Sequence, residues 1–402
     1  MSLGLYLSVP FCRTKCSYCN FASDVFSRAI FQRYVERVCS DIENAGETFA
    51  QMGAKFEPTL DSVYLGGGTP TLLDVAGLER LFVTISQNLF VRSAAEITVE
   101  CAPGTLSDAM VECFVRCGVN RISLGVQSFV DREAATVGRL HTRAKVLEDI
   151  SRLRAAGISN LNLDLIAGLP HQEAASWDFS LNEAIASGVP HVSIYMLEVD
   201  EDSRLGRELI AGGTRYHAHA VPDDELTADL YLAACEGLQK AAIEQYEISN
   251  FARPGQESSH NLKYWTRQPY LGFGVDAHSM LPAADPELDA FRFATPETLE
   301  EYVAGAAPRK TEVSRRSALE ETFFLGLRLN RGVNLAEVEE KFGEEAVAAV
   351  SPVITELLDA GLLGRTDDSI RLTSRGRLLS NEVFERFIFS DLGEQSCALP
   401  AV

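Results

Sequence analysis

Three cysteines stand within eight residues near the start of the chain, in Cys12-Arg13-Thr14-Lys15-Cys16-Ser17-Tyr18-Cys19. The spacing is C-x3-C-x2-C, with an aromatic residue before the third thiol. Clustered thiolates of this kind hold iron–sulfur clusters. Three of them serve three irons of a 4Fe-4S cluster and leave the fourth open to a small molecule. Because such clusters reach low potentials, an electron can pass to a stable compound bound at that iron. Other readings fit less well. A structural zinc site takes four ligands, usually as two separated pairs. A disulfide framework belongs to short secreted chains. Three inert buried thiols would not ordinarily share one short loop.

Further polar residues fall where strands should end. Leu65-Gly66-Gly67-Gly68-Thr69-Pro70 is a turn through which backbone groups can approach a ligand closely. Glu100 closes Ile97-Thr98-Val99-Glu100, and Gln127 closes Ser123-Leu124-Gly125-Val126-Gln127. Arg139 follows in Val137-Gly138-Arg139, and Asp164 stands in Leu161-Asn162-Leu163-Asp164-Leu165. Taken singly, each reads as a solvated strand end or a local ion pair. Taken as an ordered set behind a thiol loop, they suit a ligand with a diol, an ammonium and a carboxylate.

The elements that must position them alternate. Short β-rich runs are expected at 4–9, 61–66, 95–101, 120–126, 160–166 and 191–198. Helical patterns lie near 27–52, 75–90, 107–117, 141–156 and 173–187, with Gly46, Gly118, Gly157 and Gly188 as punctuation. Such alternation implies an α/β fold built on a parallel sheet. Six strands are too few for an eight-unit barrel, so a partial, TIM-like (β/α)6 barrel is expected. A helix at 225–241, strand-like residues at 244–249, a loop at 250–282 and a linker at 283–296 follow. From about 300 the texture changes to helices at 320–327, 335–342 and 350–363, then a hairpin through Ile370-Arg371-Leu372. This is a winged-helix-like pattern. Two domains are therefore expected, 1–295 and 300–402.

Net charge is −21 over 402 residues, which disfavours phosphate backbones and anionic lipid surfaces, so no nucleic-acid partner is expected. Residues 310–402 hold 11 Lys+Arg against 16 Asp+Glu, or −5, so the wing reads as a lid or docking module, not a DNA reader. No apolar run approaches ~20 residues, so no membrane span is expected. Nine cysteines without a secretory signal point to a reducing cytoplasm. His217-x-His219 reads as an exposed pair and Cys113-x3-Cys117 as buried thiols on one helix face.

The thiol loop with Tyr18, the glycine turn and the strand-end set together resemble the radical S-adenosylmethionine (SAM) superfamily. That resemblance implies a 4Fe-4S cluster on Cys12, Cys16 and Cys19, with SAM on the open iron. It implies that Tyr6, Gly67, Gly68, Thr69, Glu100, Gln127, Arg139 and Asp164 line the SAM site. Over nearly its whole length the chain resembles the HemN/HemW family of oxygen-independent coproporphyrinogen III oxidases and heme chaperones. The oxidases carry a further cysteine two places after the third, where Phe21 stands here, and an N-terminal arm before the first strand that this sequence lacks. Ser259-His260-Asn261-Leu262-Lys263-Tyr264-Trp265 reproduces the H-N-x-x-Y-W motif of the HemW branch. The resemblance thus implies heme contact by His260, Asn261, Tyr264 and Trp265. From the residues alone, His260 reads first as a hydrogen-bonded core histidine beside two packing aromatics, and heme contact comes only from the resemblance.

The expected function is that of a cytoplasmic heme chaperone. It would bind a 4Fe-4S cluster, SAM and heme, and deliver heme to an apo-hemoprotein acceptor, respiratory and membrane-bound acceptors included. The alternatives are oxidative decarboxylation of coproporphyrinogen III and radical opening of the porphyrin ring. The resemblance names no electron donor.

Overall fold

The structure is a computed structural model and describes residues 2–388. Six parallel strands run in chain order: β1 (Leu3–Val9), β2 (Thr59–Gly67), β3 (Phe90–Cys101), β4 (Arg121–Gln127), β5 (Asn160–Ala167) and β6 (His191–Met196). Each is joined to the next through helical segments, as βαβ units require. All six strands and the helices between them lie where the hydrophobic pattern puts them, within a few residues. One helical pattern, 27–52, divides into Ala29–Glu43 and Ala45–Gln51, and a short helix at Asp131–Thr136 is additional.

The sheet is wider than six strands. β7 (Glu244–Gln245) and β8 (Asn250–Ala252) extend it antiparallel beyond β6. On the other side β9 (Tyr270–Gly274) lies parallel to β1, and β10 (His278–Pro282), β11 (Leu288–Ala294) and β12 (Arg309–Ser314) follow antiparallel. Twelve strands result, with β12 and β7 as open edges. Two expectations are corrected here. Residues 250–282 are not a loop but hold β8, the helix Ser259–Trp265, β9 and β10. Residues 283–296 are not a linker, because Ala290–Ala294 of β11 pair on both sides. The polar, proline-bearing texture of both segments hides these strands, of which β8 and β9 take remote partners in β6 and β1 while β10 and β11 pair with their neighbours in the chain.

Along the barrel strands apolar and polar residues alternate. Leu5, Leu7, Val63, Leu65, Val99 and Leu163 form the main core with the surrounding helices. The intervening Tyr6, Tyr64, Glu100, Ser123, Asn162 and His191 contact one another across the strands instead. The barrel interior is therefore a polar network with its own hydrogen bonds, as burial of such groups demands.

A second core joins Leu319, Phe323, Val350, Ile354, Leu372 and Phe387 of the C-terminal part to Ile248. Its wing has three strands, β13 (Val333–Asn334), β14 (Leu363–Thr366) and β15 (Ser369–Leu372), in the order β13-β15-β14. The expected helix over 350–363 runs from Glu344 to Asp359 instead. Buried Glu321 fixes this unit to the barrel by ion pairs to Arg267 (2.7 Å) and Arg292 (2.8 Å). Residues 389–402 of the expected C-terminal domain lie outside the described residues.

Candidate functional site

The cysteine loop leaves β1 at its C-terminal end and is held from three sides. The amides of Gly68 and Thr69 donate to the carbonyls of Val9 (2.8 Å) and Phe11 (2.7 Å). A Cβ on Gly68 would sit 2.7 Å from the Phe11 carbonyl oxygen, so only glycine lets the turn lie on the loop. Ser17 N donates to Val137 O (3.1 Å), and Thr14 Oγ1 to Gly138 O (3.0 Å). Leu205, from the segment after β6, donates to Ser17 O (2.7 Å). This fixes three thiols on one short loop, Cys16 buried and Cys12 and Cys19 partly so. Burial pushes the Cys12 and Cys19 thiols up, and a bound cation would reverse that by favouring thiolate.

The strand-end residues converge beside this loop. Arg139 donates from Nη1 to Cys16 Sγ (3.6 Å) and from Nη2 to the Gly125 carbonyl. Tyr64 donates to Glu100 Oε1 (2.7 Å). Asp164 accepts from Ser123 (3.0 Å) and Asn162 (2.7 Å). Burial pushes the Glu100 carboxyl up to about 7, the Tyr64 hydrogen bond opposes that, and the charge of Asp164 adds to it. Burial likewise raises Asp164. Gln127 is held at φ 68, and its Oε1 is buried without a hydrogen-bond partner. Two raised carboxyls and an orphaned amide oxygen suit a cationic, hydroxyl-bearing ligand. The Gly68 and Thr69 amides are already used by the cysteine loop, so this turn offers a ligand acceptors more readily than donors.

The His260 segment lies at the other end of the barrel. The helix Ser259–Trp265 has its first amides on Glu96, which accepts from Ser259 N (3.0 Å) and His260 N (3.1 Å). Buried Lys263 reaches Ser2 O (3.0 Å) and Asp61 (2.7 Å) at the starts of β1 and β2. His260 is 1% exposed. Its Nδ1 lies 3.0 Å from Ser62 Oγ and its Nε2 2.8 Å from Tyr264 OH. Burial holds its pKa down to about 3. Trp265 packs against Leu325 and Leu329 under the Arg328 guanidinium, 4.2 Å from the ring. As placed, His260 and Trp265 do not form an open face for a porphyrin. An iron reaches either ring nitrogen only by displacing a hydroxyl.

Comparison with known proteins gives the family and the fold. Residues 6–183 match the family model of the radical SAM superfamily, and residues 313–379 that of the HemN C-terminal domain. The heme chaperone HemW of Lactococcus lactis is 32% identical over 392 residues, covering 96% of this chain and 97% of the relative. HemW of Bacillus subtilis is 34% identical over 390 residues, covering 95% and 98%. The chain belongs to the HemW family. Among solved structures, the radical SAM enzyme coproporphyrinogen III oxidase (HemN) of Escherichia coli superposes with a TM-score of 0.81. It covers 96% of this chain and 90% of its own at 22% identity, which shows a shared fold.

For a HemW-family chain, the structure brings Cys12, Cys16, Cys19, Glu100, Gln127, Arg139 and Asp164 to one end of the barrel. It sets His260 and Trp265 at the other. Tyr6 lies between, its ring 6.0 Å from Tyr64 and 6.3 Å from His260. The sequence reasoning missed Tyr64, Ser123 and Asn162, which orient the two carboxylates. Their signal was present as polar residues at every second position of strands otherwise apolar. Cys113 and Cys117 lie 3.9 Å apart on a helix away from this site.

Proposed function

We propose that this chain is a heme chaperone that carries a 4Fe-4S cluster and SAM and passes heme to an apo-hemoprotein. The supporting observation is the near full-length identity with HemW chaperones, set beside a bare fold likeness to the coproporphyrinogen oxidase. Phe21, where the oxidases carry a further cysteine, agrees. In this reading Cys12, Cys16 and Cys19 hold the cluster, which supplies low-potential electrons when bound. Arg139, between Cys16 and β4, takes the SAM carboxylate. Glu100 and Asp164 take its ammonium and ribose hydroxyls, Gln127 adds an acceptor, and Tyr6 and the Gly67–Thr69 turn close the pocket. The division expected near 295–300 is placed at Ser314/Arg315 instead, a reading supported by the pairing of β12 with β11. The acceptor is respiratory and membrane-bound, and the chaperone itself works in the cytoplasm. No helix among the described residues is long and apolar enough to cross a membrane.

Heme contact by His260, Asn261, Tyr264 and Trp265 is what the family motif implies. In this structure it requires the helix Ser259–Trp265 to move out of the barrel end. The function is tested by giving the reconstituted protein hemin, an apo-hemoprotein and, separately, coproporphyrinogen III with SAM and reductant. Saturable hemin binding, transfer to the apoprotein and no protoporphyrinogen are expected. Robust decarboxylation would replace the chaperone reading with the oxidase.

A further inference from the structure

Three of the seven histidines meet on the surface at the cysteine-loop end of the barrel. His171 follows β5, while His217 and His219 lie in the insertion after β6. His171 Nε2 is 3.2 Å from His217 Nδ1. The ring centres are 5.2 Å apart for that pair, 6.3 Å for His171 with His219, and 6.5 Å for His217 with His219. The two segments are tied by His171 N donating to Ala220 O (2.7 Å). His171, Tyr216 and His217 have φ of 66°, 54° and 60°, a left-handed backbone that non-glycine residues rarely adopt.

The neighbourhood narrows what these imidazoles fit. Among the described residues no three His, Cys, Asp or Glu side chains are arranged to hold a single metal ion. An iron already held in a porphyrin needs only one or two axial imidazoles. Tyr216 is 38% exposed beside the histidines, with the Arg204 guanidinium 5.8 Å from its ring centre, and Ile210 of the same insertion is 66% exposed. These supply apolar and aromatic surface for a macrocycle edge. Arg215 stands two places before His217 in the chain, and the charge of Arg132 is felt at His171. Two anionic propionates would find cations here, on a chain of net charge −21. Of the carboxylates in the insertion, Glu208 is turned onto the Arg215 amide (3.1 Å), and Asp200 accepts from Asn20 and from the Asp202 amide. The insertion also rests on the cysteine loop, through Arg204 donating to the Lys15 carbonyl and Leu205 N to Ser17 O.

We propose that His171, His217 and His219 form the surface site at which this chain takes up and surrenders heme, one or two of the imidazoles ligating the iron. The proposal rests on the heme-chaperone reading above and moves the axial ligand from His260 to the barrel lip. An exposed ligand suits hand-over, because an acceptor can approach the iron without the donor unfolding. A buried His260 does not.

The test is a titration of the full, cluster-loaded chain with ferric hemin, read by Soret absorption and by the low-spin signature of imidazole ligation. The variants are His171→Ala/His217→Ala/His219→Ala together and His260→Ala alone. Retained cluster absorption and circular dichroism show that each has folded. The triple variant should lose tenfold or more in affinity together with the imidazole signature, and free imidazole should restore that signature. His260→Ala should keep both. A triple variant that titrates like the wild type would overturn this site and leave the chaperone reading standing. Loss of the signature in His260→Ala with retention in the triple variant would return the ligand to the barrel end. A wild-type chain without saturable hemin binding would overturn the chaperone reading and this site together.

Discussion

His260 and the His171–His217–His219 patch place the same side chain in opposite physical settings. His260 is enclosed, each ring nitrogen faces a hydroxyl, and its proton affinity is lowered to about 3. The patch is held by loops, two of its residues have left-handed backbones, and its rings face solvent and each other. An enclosed imidazole contributes stability, because removing it strands the hydroxyls it satisfies. An exposed one contributes little to stability and remains free to exchange ligands. On the proposal above, a family motif coincides with a structural plug, while chemistry with a mobile cargo falls to residues whose spacing in sequence looks unremarkable.

The largest effect expected is all-or-none. Cys16→Ala should abolish the 4Fe-4S absorption after anaerobic reconstitution, since three ligands cannot be reduced to two. Hemin binding should persist, because patch and cluster use different ligands. Loss of hemin binding as well would make patch and cluster one site. Cys113→Ala should leave the cluster intact. Next, His260→Ala should destabilise the fold by about 1–3 kcal/mol for each buried hydroxyl left unpaired on Ser62 and Tyr264, measured by denaturant unfolding. His217→Ala should change stability by no more than about 0.5 kcal/mol. Equal losses would erase the contrast between the two regions.

Arg139→Ala should weaken SAM binding by about 1.5–3 kcal/mol, as loss of a charge-assisted contact does, with the cluster retained. An unchanged calorimetric affinity would remove Arg139 from the SAM site. The smallest effects are in pH dependence. His260 stays neutral when folded, so the unfolded chain alone takes up its proton as pH falls from 6.5 towards about 3. Stability from this group is therefore lost on acidification through that window. Glu100 runs the other way. Its folded pKa is raised to about 7, so stability is lost as pH rises from 4.5 towards 7. His260→Ala should flatten the acid side of a melting-temperature profile, and Glu100→Gln should flatten the near-neutral side. A profile unchanged in both would mean that neither group is as enclosed as its partners make it.

The sequence by itself determined the chemistry of the thiol loop and the ordinal positions of Glu100, Gln127, Arg139 and Asp164. C-x3-C-x2-C is a local constraint that eight residues satisfy on their own, and successive βα units bring strand ends to one side without further information. The βα alternation likewise sets β1 to β6, because each helix and strand carries its own hydrophobic period. Only the tertiary structure decided three matters. β9 joins the sheet because remote β1 completes its hydrogen bonds, and β10 to β12 then add to it as an antiparallel meander that a proline-bearing, acidic stretch does not announce. The end of the barrel occupied by His260 is decided by Glu96, Asp61 and Ser2, residues one to two hundred or more positions away that anchor its helix. And His171 meets His217 and His219 only because the chain folds the loop after β5 against the insertion after β6. Such encounters between distant segments have no period or spacing, so only tertiary packing and the backbone hydrogen bonds it permits fix them.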